Sequence, residues 1–158
     1  MNIKKVKFGD LKQIYQLEQK VFEVNAFSKD LLRKLISNNI LFLKLKIGKF
    51  RKKIIGFIIV IKENEDKANI VNFLINQEFQ NRGYGTLLLQ KTIEYLKKLN
   101  FLTRVILNVQ ISNNIAIKLY EKFKFKKDPN VLENYYESGE SAFLMELNIA
   151  SLQTKTYK

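Results

Sequence analysis

The 158-residue chain contains no cysteine and no histidine. The first absence excludes disulfides, thiolate metal sites and a cysteine nucleophile. The second removes the commonest general base and metal ligand, so acid–base work falls to Tyr, Glu, Asp, Lys, a polarised water or the substrate itself. No metal is expected. A single proline, Pro129, argues against linkers and Pro-rich disordered segments. No apolar run approaches the roughly 18 residues of a membrane span. "MNIKKVKFGD" lacks the uninterrupted apolar core of a signal peptide. The expectation is therefore a cytoplasmic protein with no membrane partner.

Acids are scarce as well. The formal net charge is +13, and between Leu31 and Lys62 there are nine Lys or Arg and no Asp or Glu. The basic residues are densest in "KLKIGKFRKK", from Lys44 to Lys53. Such a stretch suits nucleic acid, ribosomes or acidic substrates. It equally suits solvated lysines on a hairpin in a chain rich in Lys, Asn and Ile, and this second reading is preferred.

What is present suits a packed globule: 46% of the residues are hydrophobic and 12% aromatic. The length accommodates one domain, expected over residues 1–149, with 150–158 as a disordered tail because "ASLQTKTYK" has no periodicity. "NIKKVKF" alternates at period two and predicts a strand. "GDLKQIYQLEQKVF" predicts a helix with Leu11, Ile14, Tyr15, Leu17 and Val21 on its apolar side, and Ser28 a cap for a second helix. Three strands follow, "ILFLKLKIG", "KIIGFIIVIK" and "ANIVNFLI", the last two joined as an antiparallel hairpin through "ENEDK". A helix over Gly83–Leu99, with Leu87, Leu88, Lys91, Tyr95 and Leu99 on one face, leads to the strand "RVILNVQI". A short helix with Asn113 near its start, a strand, a tyrosine-bearing loop and a last strand complete the order β-α-α-β-β-β-α-β-α-β-β. The fold class is α/β: a mixed, mostly antiparallel central sheet with helices on both faces, and a parallel pair across the strand–helix–strand unit.

Two of only six glycines stand in "QNRGYGT", between an extended stretch and a helix. Glycines there let successive N–H groups turn inward and leave room for a phosphate, and the helix adds its positive end. An ordinary strand-to-helix connection is the alternative, and a second motif decides between them. Gln80, Gly83 and Gly85 supply a Gln-x-x-Gly-x-Gly pattern after a strand, and "SNNIAIKLYEKFKF" supplies an Asn followed by Tyr-Glu-Lys and a Phe-x-Phe pair. With both at this separation, the chain resembles the GNAT superfamily of acetyl-CoA-dependent N-acetyltransferases. "NVQISNNIAIKLY", "ENYY" and "VFEVNAFSKDLL" are similar to motifs of its protein N-terminal acetyltransferases, including the ribosomal-protein-alanine and Ard-type enzymes.

The resemblance implies acetyl-CoA as co-substrate. It assigns the pantetheine arm and acetyl group to the backbone of Phe73, Leu74 and Ile75. Gln80, Asn81, Arg82, Gly83, Tyr84, Gly85 and Thr86 would hold the pyrophosphate, and Asn113 would reach the cofactor from the next helix. Tyr120 falls where the family places the acid that protonates the departing sulfur. Asn108 falls where members carry a Glu or His base, and Asn69 where some carry a tyrosine. An amide accepts no proton at neutral pH but can hold a water through its carbonyl oxygen. Glu133, Glu137 and Glu140 are further carboxylates in or near the tyrosine loop. Tyr135 and Tyr136 would lie over the first residues of a substrate, with Phe22, Val24 and Val71 lining the pocket.

The missing base points to the substrate. A free α-amine, pKa near 8, is roughly one-tenth neutral at pH 7, whereas a lysine amine is neutral less than about once in a thousand. The expected partner is a protein or peptide N-terminus, with ribosome association kept open and nucleic acid not expected as a substrate. A small-amine acetyltransferase and a catalytically weak acetyl-CoA-binding protein associated with ribosome or nucleic acid are the alternatives. The first would call for an acid-lined pocket; the second is motivated by Asn108 and Asn69.

Overall fold

The computed structural model describes residues 1–48 and 53–153. Seven strands form one sheet in the order β1-β2-β3-β4-β5-β7-β6. They are β1 (Asn2–Lys5), β2 (Leu41–Ile47), β3 (Lys53–Lys62), β4 (Lys67–Ile75), β5 (Arg104–Gln110), β6 (Lys126–Leu132) and β7 (Ala142–Asn148). The helices are α1 (Leu11–Phe22), α2 (Lys29–Ser37), α3 (Tyr84–Leu96), α4 (Asn114–Lys122) and the short α5 (Ala150–Gln153). Through β7 the order of helices and strands is the one predicted from periodicity, and α5 follows it. Part of the segment expected to be a tail is thus helical, and 154–158 lie outside the described residues. So do 49–52 of the basic stretch.

The ladders of β1 with β2, β2 with β3, β5 with β7 and β6 with β7 are antiparallel. β4 and β5 pair in parallel, Lys67↔Arg104 through Ile70↔Leu107, as expected of strands joined through a helix. Pro129, which has no N–H for a ladder, lies in the edge strand β6, within the register shift between Lys127 and Val131.

The chain divides into two compact units. One comprises Met1–Ile61 and Asn72–Thr92; the other comprises Lys62–Val71 and Ile93 onward. In the first, the continuous apolar run of β3 is buried from Ile54 to Val60, and Phe57 packs its ring 5.6 Å from that of Phe42. Each such side chain removed from water contributes about 1.5–3 kcal/mol. Gly56 is the exception within the run. A Cβ on it would stand 2.7 Å from the Leu74 carbonyl oxygen and against the Ile75 side chain, so no other residue fits this close approach of β3 and β4. In the second unit, Leu102, Val105, Leu107, Met145, Leu147 and Ile149 are buried.

Two details differ from the sequence reading. The buried residues of α3 are Leu88, Leu89, Thr92, Ile93 and Leu96, so of the predicted face only Leu88 is buried. The stripe runs one position later than the leucine spacing suggests, and Thr92 can occupy it because its hydroxyl donates to the Leu88 carbonyl at 2.9 Å. Lys44 is not a solvated hairpin lysine. Its ammonium is buried and donates to the Asp10 carboxylate, which also accepts from Lys46 at 3.2 Å and from the Lys7 N–H at 2.8 Å. Burial pushes the Asp10 carboxyl up, but these donors outweigh it and hold it below the usual carboxylate range.

Candidate active site

The glycine turn is built from the end of β4 onward. Asn76 accepts from the Glu78 N–H and caps a single 3-10 turn, Gln77–Phe79. Gln80 then reaches back, its side-chain amide donating to the Ile75 carbonyl at 2.8 Å. Asn81 (φ 58°) and Gly83 (φ 79°) are both left-handed, which turns the backbone over twice within three residues. The space where a Gly83 Cβ would stand is open, so glycine is favoured here for its conformation and not for room within the chain. The first intrahelical bond runs from the Leu87 N–H to the Gly83 carbonyl at 3.0 Å. The N–H groups of Tyr84, Gly85 and Thr86 therefore lie ahead of it, at the positive end of a 13-residue helix. Gly85 is not left-handed; it belongs to the first turn of α3. Arg82 is exposed, its guanidinium 5.6 Å from the centre of the Phe79 ring. These residues fit an anionic, phosphate-bearing group. Upstream, Leu74 and Ile75 are buried and Phe73 half-buried on β4.

In the same unit, the segment after α1 holds the two predicted wall residues. Phe22 ends α1 half-buried, and Val24 is exposed in the 3-10 turn Glu23–Asn25. Sequence reading missed Glu18, which is fully buried and accepts from the Phe27 N–H at 2.8 Å and from Asn72 Nδ2 at 2.9 and 3.0 Å. Its burial raises the carboxyl pKa, and those donors offset only part of the rise. A signal was available: Glu18 follows Leu11 by seven residues and Ile14 by four, squarely on the buried stripe.

The second unit collects the acid–base candidates. Asn108, on β5, donates from Nδ2 to the Tyr135 hydroxyl at 2.6 Å. Asn108 Oδ1 is buried and has no hydrogen-bond partner among the described residues. The rings of Tyr135 and Tyr136 meet edge to face at 5.0 Å. Tyr120, on α4, is buried with its ring 5.7 Å from that of Phe125. Burial, then the neighbouring Tyr136, pushes the Tyr120 hydroxyl pKa far up. Burial first, then Tyr135 and Glu140, pushes Tyr136 up to about 12. Both keep their protons through the physiological range.

The loop carrying the tyrosines is fixed from several sides. Asn134 (φ 50°) and Gly139 (φ 80°) are left-handed, the Tyr136 N–H donates to the Glu140 carbonyl at 3.0 Å, and the Gly139 N–H to the Tyr136 carbonyl at 2.8 Å. Glu140 accepts from the hydroxyl and N–H of Ser112, at the end of β5, and Glu133 from Ser141. Glu137 is exposed. Asn113 Oδ1 accepts from the Ala116 N–H at 3.1 Å and caps α4. Asn69 donates to Glu63 at 3.1 Å, and Val71 is half-buried on β4.

Residues 11–125 match the profile of the acetyltransferase (GNAT) family. The chain belongs to that family. Among relatives, it is 38% identical over 79 residues to the N-alpha-acetyltransferase of Sulfurisphaera tokodaii, covering 50% of this chain and 47% of that one. It is 35% identical over 88 residues to the [ribosomal protein bS18]-alanine N-acetyltransferase of Salmonella typhimurium, covering 54% and 58%. The GNAT chain thus spans about half the length of these curated relatives. The crystal structure of the ribosomal-protein-S18-alanine N-acetyltransferase from Escherichia coli superimposes with a TM-score of 0.80 at 28% identity, over 94% of this chain and 93% of that one. Among the described residues, no helix is long and apolar enough to cross a membrane.

Proposed function

We propose that this GNAT chain transfers an acetyl group from acetyl-CoA to the α-amino group of a protein or peptide N-terminus. Asn108 is the observation that carries the reading. It stands at the family's base position, its Nδ2 is committed to Tyr135, and its buried Oδ1 remains an acceptor. Such a group can accept a hydrogen bond from an amine or a water but cannot take a proton near pH 7. A substrate that is already partly neutral is the one it can serve.

Bound acetyl-CoA supplies the acetyl group as a thioester. The turn Asn81–Thr86 offers backbone N–H groups and Arg82 a cation to its phosphates. The backbone of Phe73–Ile75 would hold its acetyl-bearing arm. Tyr120 on α4 would hydrogen-bond the sulfur and donate its proton to it as the carbon–sulfur bond breaks. The proton lost by the amine passes to water. Tyr135 and Tyr136 are assigned to the first residues of the peptide, and Phe22, Val24 and Val71 to contact with its first side chain. The relatives named for a ribosomal-protein alanine make an alanine N-terminus the first peptide to try.

The test is CoA release from acetyl-CoA with peptides bearing free, blocked or lysine-only amines. Turnover confined to free N-termini is expected. Turnover of the lysine-only peptide at an equal rate would overturn the reading.

A further inference from the structure

Leu11, Ile14 and Leu17 show that apolar side chains fill the buried stripe of α1, yet Glu18 is as deeply buried as they are. A carboxylate there pays heavily for lost hydration, so its presence asks what it holds. It holds two things. Phe27 donates its N–H to Glu18, and its carbonyl accepts from Gln19 Nε2 at 3.3 Å, so both backbone groups of Phe27 are tied to α1. Asn72, one residue before Phe73 on β4, gives its side-chain NH2 to both carboxylate oxygens.

The chain bracketed between Glu18 and Phe27 carries Phe22 and Val24. It contains Glu23 at φ 49°, ψ −114°, a conformation disfavoured for any residue with a Cβ, which persists only where its surroundings impose it. Asn72 is constrained in turn. With its NH2 held by Glu18, its buried Oδ1 is left without a partner among the described residues. An amide placed only to fill the core would not be oriented so.

We infer that Glu18 is a positioning residue for substrate: through Phe27 and Asn72 it fixes the segment bearing Phe22 and Val24 to β4 and so sets the wall against which the peptide's first side chain packs. The inference rests on the peptide-acetylation reading above. Glutamine can replace the link, since its Oε1 can accept from Phe27 and its Nε2 can donate to a turned Asn72 Oδ1. Alanine cannot.

The experiment compares wild type, Glu18→Ala and Glu18→Gln for peptide KM and kcat, and for acetyl-CoA affinity by calorimetry. Glu18→Ala is expected to raise peptide KM by about tenfold or more while acetyl-CoA affinity stays within about twofold, with Glu18→Gln close to wild type. Unchanged peptide KM in Glu18→Ala, or equal loss for both ligands, would overturn the inference. Should Glu18→Ala not fold, Asn72→Ala removes one of the two ties, and a peptide KM raised about threefold is expected; an unchanged value overturns the inference. Hydrogen exchange at the Phe27 amide reads the link without turnover. Slow exchange is expected in wild type and in Glu18→Gln, and exchange as fast as in an unstructured loop in wild type would overturn it. Wild-type protein that turns over no peptide would overturn the acetylation reading, and this inference with it.

Discussion

The glycine turn and the tyrosine loop are both irregular connections with two left-handed residues each, yet they do different work. In the turn the proposed ligand contact is main chain: the N–H groups ahead of α3, after the left-handed Asn81 and Gly83, with Gln80 donating back to the Ile75 carbonyl. In the loop it is side chain: Tyr135 on Asn108, with Tyr136 beside it, on a frame closed by Glu140 and Ser112. A main-chain site is sensitive to shape and indifferent to most side-chain chemistry. A side-chain site is the reverse, so isosteric changes that leave its shape intact still reach its function.

That contrast can be tested in order of expected effect. Gly83→Val places a β-branched residue at φ 79°, costing about 1–3 kcal/mol or displacing the turn, so acetyl-CoA affinity measured by calorimetry should fall by about 10- to 100-fold. Affinity unchanged by valine would break the main-chain account. Tyr120→Phe keeps the ring and its packing on Phe125; acetyl-CoA binding should persist while kcat falls at least about tenfold.

The third test is a pH profile. An α-amine with pKa near 8 gains about tenfold in its neutral fraction between pH 7 and 9, and kcat/KM should rise by that factor. Raised pKa values mean that Tyr120 and Tyr136 remain protonated across this range, so neither tyrosine should produce an alkaline fall below about pH 10. A bell centred near neutrality would require another titrating group. The smallest effect is expected of Tyr135→Phe, which removes one exposed neutral acceptor from Asn108. A loss of about 0.5–1.5 kcal/mol, roughly two- to tenfold in kcat/KM, should follow.

The order of elements was legible because strands and helices here keep clean periods: β3 is apolar throughout, α1 repeats at three and four, and Ser28 caps α2 as its type suggests. The glycine turn was legible for a related reason, since a conformational demand is visible in the residue that meets it. Polar links between distant parts of the chain were not. Glu18 and Asn72 stand 54 residues apart, Lys44 and Asp10 34 apart, and Asn108 and Tyr135 27 apart. No local pattern pairs them. Nor does a pattern announce Gly56, whose reason is a carbonyl on the next strand. The face of α3 was misjudged because leucines at its edge outnumber the buried threonine that marks its centre.

The Asp10–Lys44 pair has a practical side. An amine reagent needs a nitrogen lone pair that it can approach, and the Lys44 ammonium is buried and donating to a carboxylate. Lys4 on β1 and Lys12 on α1, by contrast, are exposed. In a mixture treated briefly with an acylating agent, modification at Lys44 therefore counts only molecules that have opened. Mass spectrometry of that one peptide becomes a gauge of opening, with the surface lysines as its internal standard.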